Sequence, residues 1–223
     1  MSPPRCLLPA IMLALSGCAS LFHSNAPAVQ LYVLQAPADV ALAGAPATAP
    51  VATPAAAGST GPTLRVARPL PGPGLNTDRI ALLRPGNRLD YYAVSRWSAP
   101  LADVVSDLEL AALRADPTWS AVADERATLN ADYVLQTSID RFAAEYAQDA
   151  GPPRVRVELR CLLVRRHDGV LLGSFAATAS QMAQANRMSG VIAAFAAAAD
   201  RAVSDAAAQA AVLLRSAKPP AAP

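Results

Sequence analysis

From Arg154 to Leu163 the residues alternate between polar or charged and apolar, and that pattern restricts this 223-residue chain more than any other segment does. Val155, Val157, Leu159, Cys161 and Leu163 share one parity, while Arg154, Arg156, Glu158 and Arg160 share the other. Successive side chains of an extended strand point to opposite faces, so the pattern predicts a sheet with one face on a core and one in water. Residues 132–146 and 170–182 flank the predicted strand at 153–166, with turns at 149–152 and 167–169, which predicts a meander of three long antiparallel strands.

The helical signals sit around that meander. Ile192, Phe195, Ala199, Val203, Ala206, Ala210, Leu213 and Leu214 recur at helical spacing and predict a long Ala-rich helix laid against the sheet. A second helix is predicted where Leu101, Val104, Val105, Leu108 and Ala112 share a face; Ser98 serves as its cap, Pro100 falls early, Asp103 lies in the first turn and Pro117 stops it. Shorter strands are expected at 29–34, 64–66, 79–83, 89–94 and 119–123, the last at an edge, with turns at 69–74 and 85–87. Two principal helices packed on one face of an antiparallel meander sheet give the α+β class.

The beginning of the chain is of another kind. Arg5 is followed by an apolar run of Leu7, Leu8, Ile11, Met12, Leu13 and Leu15, too short to span a bilayer, and then by Leu15-Ser16-Gly17-Cys18. Small residues before a cysteine are what a lipidating peptidase needs, and the thiol is what carries the first acyl groups. Residues 1–17 therefore read as a removable lipoprotein signal and Cys18 as the lipidation site, with 18–28 as the anchored segment. A single acyl chain holds a protein only marginally, whereas several chains on Cys18 make a durable anchor. Ala19 stands where an aspartate would signal inner-membrane retention, so the outer membrane is the expected address.

One domain is expected over residues 29–216, followed by a disordered tail at 217–223. Residues 36–62 are dominated by Ala, Pro, Gly and Thr with Asp39 as the only charge, a composition that predicts a flexible insertion within that domain. Charged residues make up 16% of the chain and the formal net charge is +2, which argues against a protein built to neutralise nucleic-acid phosphates. Cys6 leaves with the signal and Cys18 is acylated, so Cys161 remains alone and no intramolecular disulfide forms. Its place on the apolar parity predicts a buried, inert thiol.

Signs of catalysis are sparse. His23 and His167 are the only histidines, one close to the anchor and one in a hairpin turn, and neither has metal-ligand spacing to Cys, His or acidic neighbours. The chain has no Gly-x-Ser-x-Gly elbow and no phosphate-cradling loop, and Asp103 with Asp107 and Asp124 with Glu125 read as surface charges. No catalytic residue, metal or cofactor is expected beyond the covalent lipid on Cys18. The arginine face of the central strand, Arg154, Arg156 and Arg160 relieved only by Glu158, is either a solvated outer face or a docking surface for an acidic partner. Arg96, Trp97, Pro100 and Leu101 form a structural motif: Trp97 buries a large area just before the helix and Pro100 fixes its first turn.

The run Tyr91-Tyr-Ala-Val-Ser-Arg-Trp-Ser-Ala-Pro-Leu101, preceded by Ile80-Ala-Leu-Leu-Arg-Pro85, resembles the ABC-type transport auxiliary lipoproteins, the group that includes paraquat-inducible protein C. Tyr32-Val33-Leu34, Asp132-Tyr133-Val134-Leu135 and Ile139-Asp140-Arg141-Phe142 fit the same layout, and the long Ala and Pro stretch after Tyr32 departs from it. The resemblance implies a non-catalytic outer-membrane component of a phospholipid transport system. Its partners would be an MCE-domain protein and, through it, an inner-membrane permease and ATPase, with the lipoprotein acting as a periplasm-facing docking adaptor, either alone or as a homo-oligomeric ring. The rival readings are a periplasmic lipid-binding chaperone, which needs an interior apolar cavity, and a small periplasmic hydrolase, which needs a cleft of perturbed polar groups.

Overall fold

The alternating segment forms strand β8 (Arg154–Arg165), paired antiparallel on one side with β7 (Tyr133–Glu145) and on the other with β9 (Leu171–Met182). A computed structural model describes residues 28–35, 61–148 and 151–217. The preceding elements are β1 (Gln30–Tyr32), β2 (Thr63–Val66), β3 (Leu70–Pro71), β4 (Arg79–Arg84), β5 (Arg88–Trp97), α1 (Leu101–Ala115) and β6 (Ala121–Asp124), and α2 (Met188–Ser216) ends the fold. Cys18, the leader at 1–17, the insertion from 36 to 60 and the tail from 218 lie outside the described residues.

The expected all-antiparallel meander is corrected to a mixed sheet. The three long strands do form a meander, but β8 occupies only one edge of β7. Its other edge is taken end to end by three short strands running parallel to it: β2 through Leu64–Val66 against Tyr133–Leu135, β3 through Leu70–Pro71 against Ser138–Ile139, and β4 through Leu82–Leu83 against Ala144–Glu145. β6 then adds parallel to β2, β5 antiparallel to β4, and β1 parallel to β5. The chain from β2 to β4 climbs β7 in steps, and the passage through β5 and α1 supplies the crossover that parallel pairing requires. The predicted turn at 69–74 accordingly contains β3.

Both helices lie on one face. The apolar parity of β8 faces them: Val155, Val157, Leu159, Cys161 and Leu163 are all buried. α2 packs on β8 and β9 through Ala194, Ala198, Ala202 and Ala206, whose small side chains bring the helix close to the sheet, and α1 lies beside it over β2 and β3. On β9, Gly173 leaves the space into which the tip of Leu213 fits; a Cβ there would meet that side chain at 2.8 Å. The predicted Ser98 cap is not formed. α1 is preceded instead by Pro100, at φ −51° and ψ 142°, with no side-chain cap; the Leu101 amide donates to the Thr77 carbonyl at 3.0 Å, and Asp103 in the first turn is engaged by Arg68 at 2.8 Å.

Trp97 is the last residue of β5, which runs three residues beyond the expected end at Val94. It is 1% exposed and meets Phe142 of β7 and Phe195 of α2 edge-on, with ring centroids 5.9 and 5.2 Å away, while those two rings stack at 5.3 Å. Each edge-on or stacked pair adds about 0.5–1.5 kcal/mol to the burial itself. The preceding Arg96 pairs with Asp78 at 2.8 Å, and the Trp97 amide donates to the Asp78 carbonyl at 2.7 Å. These contacts fix the point where the sheet passes into α1.

Candidate functional site

The helix-free face of the β7–β8–β9 meander is open to water along β8 and β9. Helices cover only the other face, so the polar parity of β8 is left to water. Arg154, Arg156 and Arg160 all stand there, as their spacing requires, and Ala176, Thr178 and Ser180 of β9 extend the face as an exposed row of small side chains.

Its charge differs from the sequence reading. Glu158 is not the only relief. β7 carries a bulge between Ile139 and Arg141, which inserts Asp140 and lets both Asp140 and Arg141 meet the arginine row. Arg160 pairs with Asp140 at 2.7 Å, Arg156 with Glu158 at 2.5 Å, and Arg141 with Glu145 at 2.8 Å. The face is therefore a network of alternating charge, not a basic patch. Arg154 makes no ion pair among the described residues and stands at the end of the row.

A different polar group lies inside. Glu109 falls four residues after Val105 and four before Leu113, so the helical repeat of α1 carries it into the core, where it is 1% exposed. Neither carboxyl oxygen has a hydrogen-bond partner, and burial raises its pKa to about 7, with nearby Thr137 opposing the rise. The carboxyl is thus held largely neutral up to neutral pH. Thr137 instead shares its hydroxyl with Cys161, Oγ1 to Sγ 3.7 Å, and burial is the main cause that pushes the Cys161 thiol up to about 12. The buried thiol stays protonated at physiological pH, which suppresses the thiolate that acts as a nucleophile. The i, i+4 spacing of Glu109 from Val105 was the signal that could have revealed it in the sequence.

Among the described residues no cluster of His, Cys, Asp and Glu is arranged to hold a metal ion. His167 stands 66% exposed in the β8–β9 turn, its Nδ1 3.2 Å from Asp168. Beside it an open cleft of about 610 Å³ runs between Asn130–Tyr133 and Arg165–His167, with walls of mixed polarity. Asp132 is committed at its rim, accepting from the Thr63 amide and hydroxyl at 2.8 Å each. No described helix is long and apolar enough to cross a membrane.

Comparisons with known proteins agree with this architecture. A family model described as "ABC-type transport auxiliary lipoprotein component" matches residues 42–211. A crystal structure of a Xanthomonas campestris protein of the DUF330 family model is similar over 70% of this chain and 88% of that one, with 22% identity and a TM-score of 0.64. A second, of an uncharacterized protein, is similar over 68% of this chain and 92% of that one, with 16% identity and a TM-score of 0.55. At these identities the likenesses establish the fold. No curated protein matches.

Proposed function

This chain belongs to the family of ABC-type transport auxiliary lipoprotein components, and from that premise we propose that it is a non-catalytic outer-membrane adaptor of an MCE/ABC-type phospholipid transport system. Acylated Cys18 holds it to the membrane, and its folded domain presents a docking surface to an MCE-domain protein that leads to the inner-membrane permease and ATPase. The observation that carries this reading is the division of the sheet: one face is filled by the Trp97, Phe142 and Phe195 cluster beneath two helices, and the other is left open. A carrier needs an interior space for acyl chains. Here the space between sheet and helices is occupied by aromatic rings and closely packed alanines, which favours the adaptor over the lipid-binding chaperone.

The open face supports docking of a particular kind. Paired charges such as Arg160 with Asp140 give a partner register and orientation more than raw affinity. Affinity purification of the tagged lipoprotein from solubilised envelopes tests the assignment: an MCE or ABC component is expected to come down with it, and its absence would remove the transport role. Charge reversal at Arg156 and Arg160 is expected to reduce that recovery without changing Tm by more than a few degrees; unchanged recovery would move the docking surface elsewhere.

A further inference from the structure

We infer that one end of the sheet is built to rest on an anionic phospholipid surface, that of the bilayer holding Cys18; this rests on the lipoprotein reading above. The pairing registers bring the ends of five strands into one transverse row. Arg88 lies opposite Arg84, Leu83 opposite Glu145, Glu145 opposite Arg154, and Arg154 opposite Met182. At ~4.8 Å per strand the row is roughly 19 Å wide. Arg187, just before α2, joins the same end, because the hydroxyl of Tyr146, the residue after β7, donates to Asn186 Oδ1 at 3.0 Å.

The row is basic and partly apolar. Arg84, Arg88, Arg154 and Arg187 are all exposed. Of the carboxylates described here, Asp90 is engaged by Arg84 at 3.4 Å and Glu145 by Arg141 at 2.8 Å, while Asp149 lies outside the described residues. Arg88, Arg154 and Arg187 make no ion pair among the described residues. Leu89 and Met182 expose apolar side chains at this end, 38% and 43% respectively. Guanidinium groups bind phosphate through their planar fork, and apolar neighbours enter the interface beneath the headgroups, so the combination fits a phospholipid surface.

The path of the chain points the same way. β1 runs parallel to β5, β5 antiparallel to β4, and β4 parallel to β7, so the N-terminal end of β1 is directed toward the end of the sheet where β7 finishes. That is the basic end. Cys18 precedes Val29 by eleven residues, a reach of at most about 40 Å. β1 itself lies beside Ser95–Trp97, about 24 Å along β5 from Arg88, which is within that reach, so the anchor can enter the membrane that the arginine row faces. The β8–β9 turn lies at the opposite end and projects toward the periplasm; there Arg165 is paired with Asp168 at 3.2 Å and Arg166 hydrogen-bonds Asn130, so a single arginine at that end lacks an ion pair among the described residues, beside exposed Val170 and Leu171.

The test uses two positions on one strand. The mature acylated chain is placed in phosphatidylethanolamine/phosphatidylglycerol vesicles with a polarity-sensitive fluorophore on Met182→Cys or on Leu171→Cys, at opposite ends of β9 and both exposed, while Cys161 is buried out of reach. Quenching by a lipid-borne quencher is expected to be several times stronger at 182 than at 171. That difference is expected to collapse in the Arg88→Gln/Arg154→Gln/Arg187→Gln variant. Equal quenching at the two positions, or a difference unaffected by the triple substitution, would overturn the proposal. Acylation of Cys18 is read separately by intact mass. A chain found without acyl groups contradicts the lipoprotein reading alone, and it is then tethered through an N-terminal tag to nickel-chelating lipid, where the same comparison decides the orientation.

Discussion

Glu109 is the only carboxylate buried among the described residues. Its folded pKa, about 7, lies above the ordinary 4.5, so the fold favours the protonated form. The neutral carboxyl's stability is fully present below pH 4.5, falls as pH rises through 7, and is constant beyond. The span of that loss is on the order of 3 kcal/mol. The Cys161 thiol facing it stays neutral over this range. Glu109→Gln is expected to flatten the dependence, with Tm raised over the wild type at pH about 8 and little changed at pH about 4. Parallel Tm profiles for the two proteins would contradict the burial argument. Trp97 gives the opposite kind of prediction: Trp97→Ala removes the ring that joins β5, β7 and α2 and is expected to cost about 3–5 kcal/mol in denaturant titrations, whatever the pH.

Elements were legible to the extent that their information is local. The alternation in β8 revealed which residues would be buried, since a strand with one wet face repeats every second residue, and α2 was equally plain from its spacing. The parallel pairing of β2, β3 and β4 with β7 was not, because no periodicity records which distant strand a short segment will join. The bulge left a trace that went unread: Ile139 and Phe142 are both buried although three residues apart, which alternation forbids unless a residue is inserted between them. That inserted residue, Asp140, is what turns the arginine row into a paired network. The Arg160–Asp140 pair is more than a third exposed on both sides, and a double-mutant cycle is expected to assign it less than about 1 kcal/mol of stability. By contrast, Ala202 is fully buried where α2 meets the sheet, and Ala202→Leu is expected to cost about 1–3 kcal/mol by overpacking. An effect near zero would mean that the helix rides loosely on β8 and β9.

At the scale of the whole molecule the fold has two directions. One end of the sheet carries Arg84, Arg88, Arg154 and Arg187, the last three without an ion pair among the described residues, and is the end proposed to face the membrane; the open face and the far turn are the surfaces proposed to meet a partner. Family membership was legible in the sequence because the Tyr91–Leu101 run joins strand, aromatic anchor and helix start in a single stretch. The basic end was not, since Arg84, Arg88, Arg154 and Arg187 come from three separate stretches of chain and meet only through the registers. On the proposed function, the domain works by being held at one membrane while its folded surface meets a component reaching from the other. The most direct measurement is complementation of an envelope-integrity defect by Cys18→Ser beside the wild type, with Tm and cell fractionation recorded for both. A soluble periplasmic variant with unchanged Tm and no complementation is expected; full complementation by that soluble, folded variant would rule out the anchored-adaptor role.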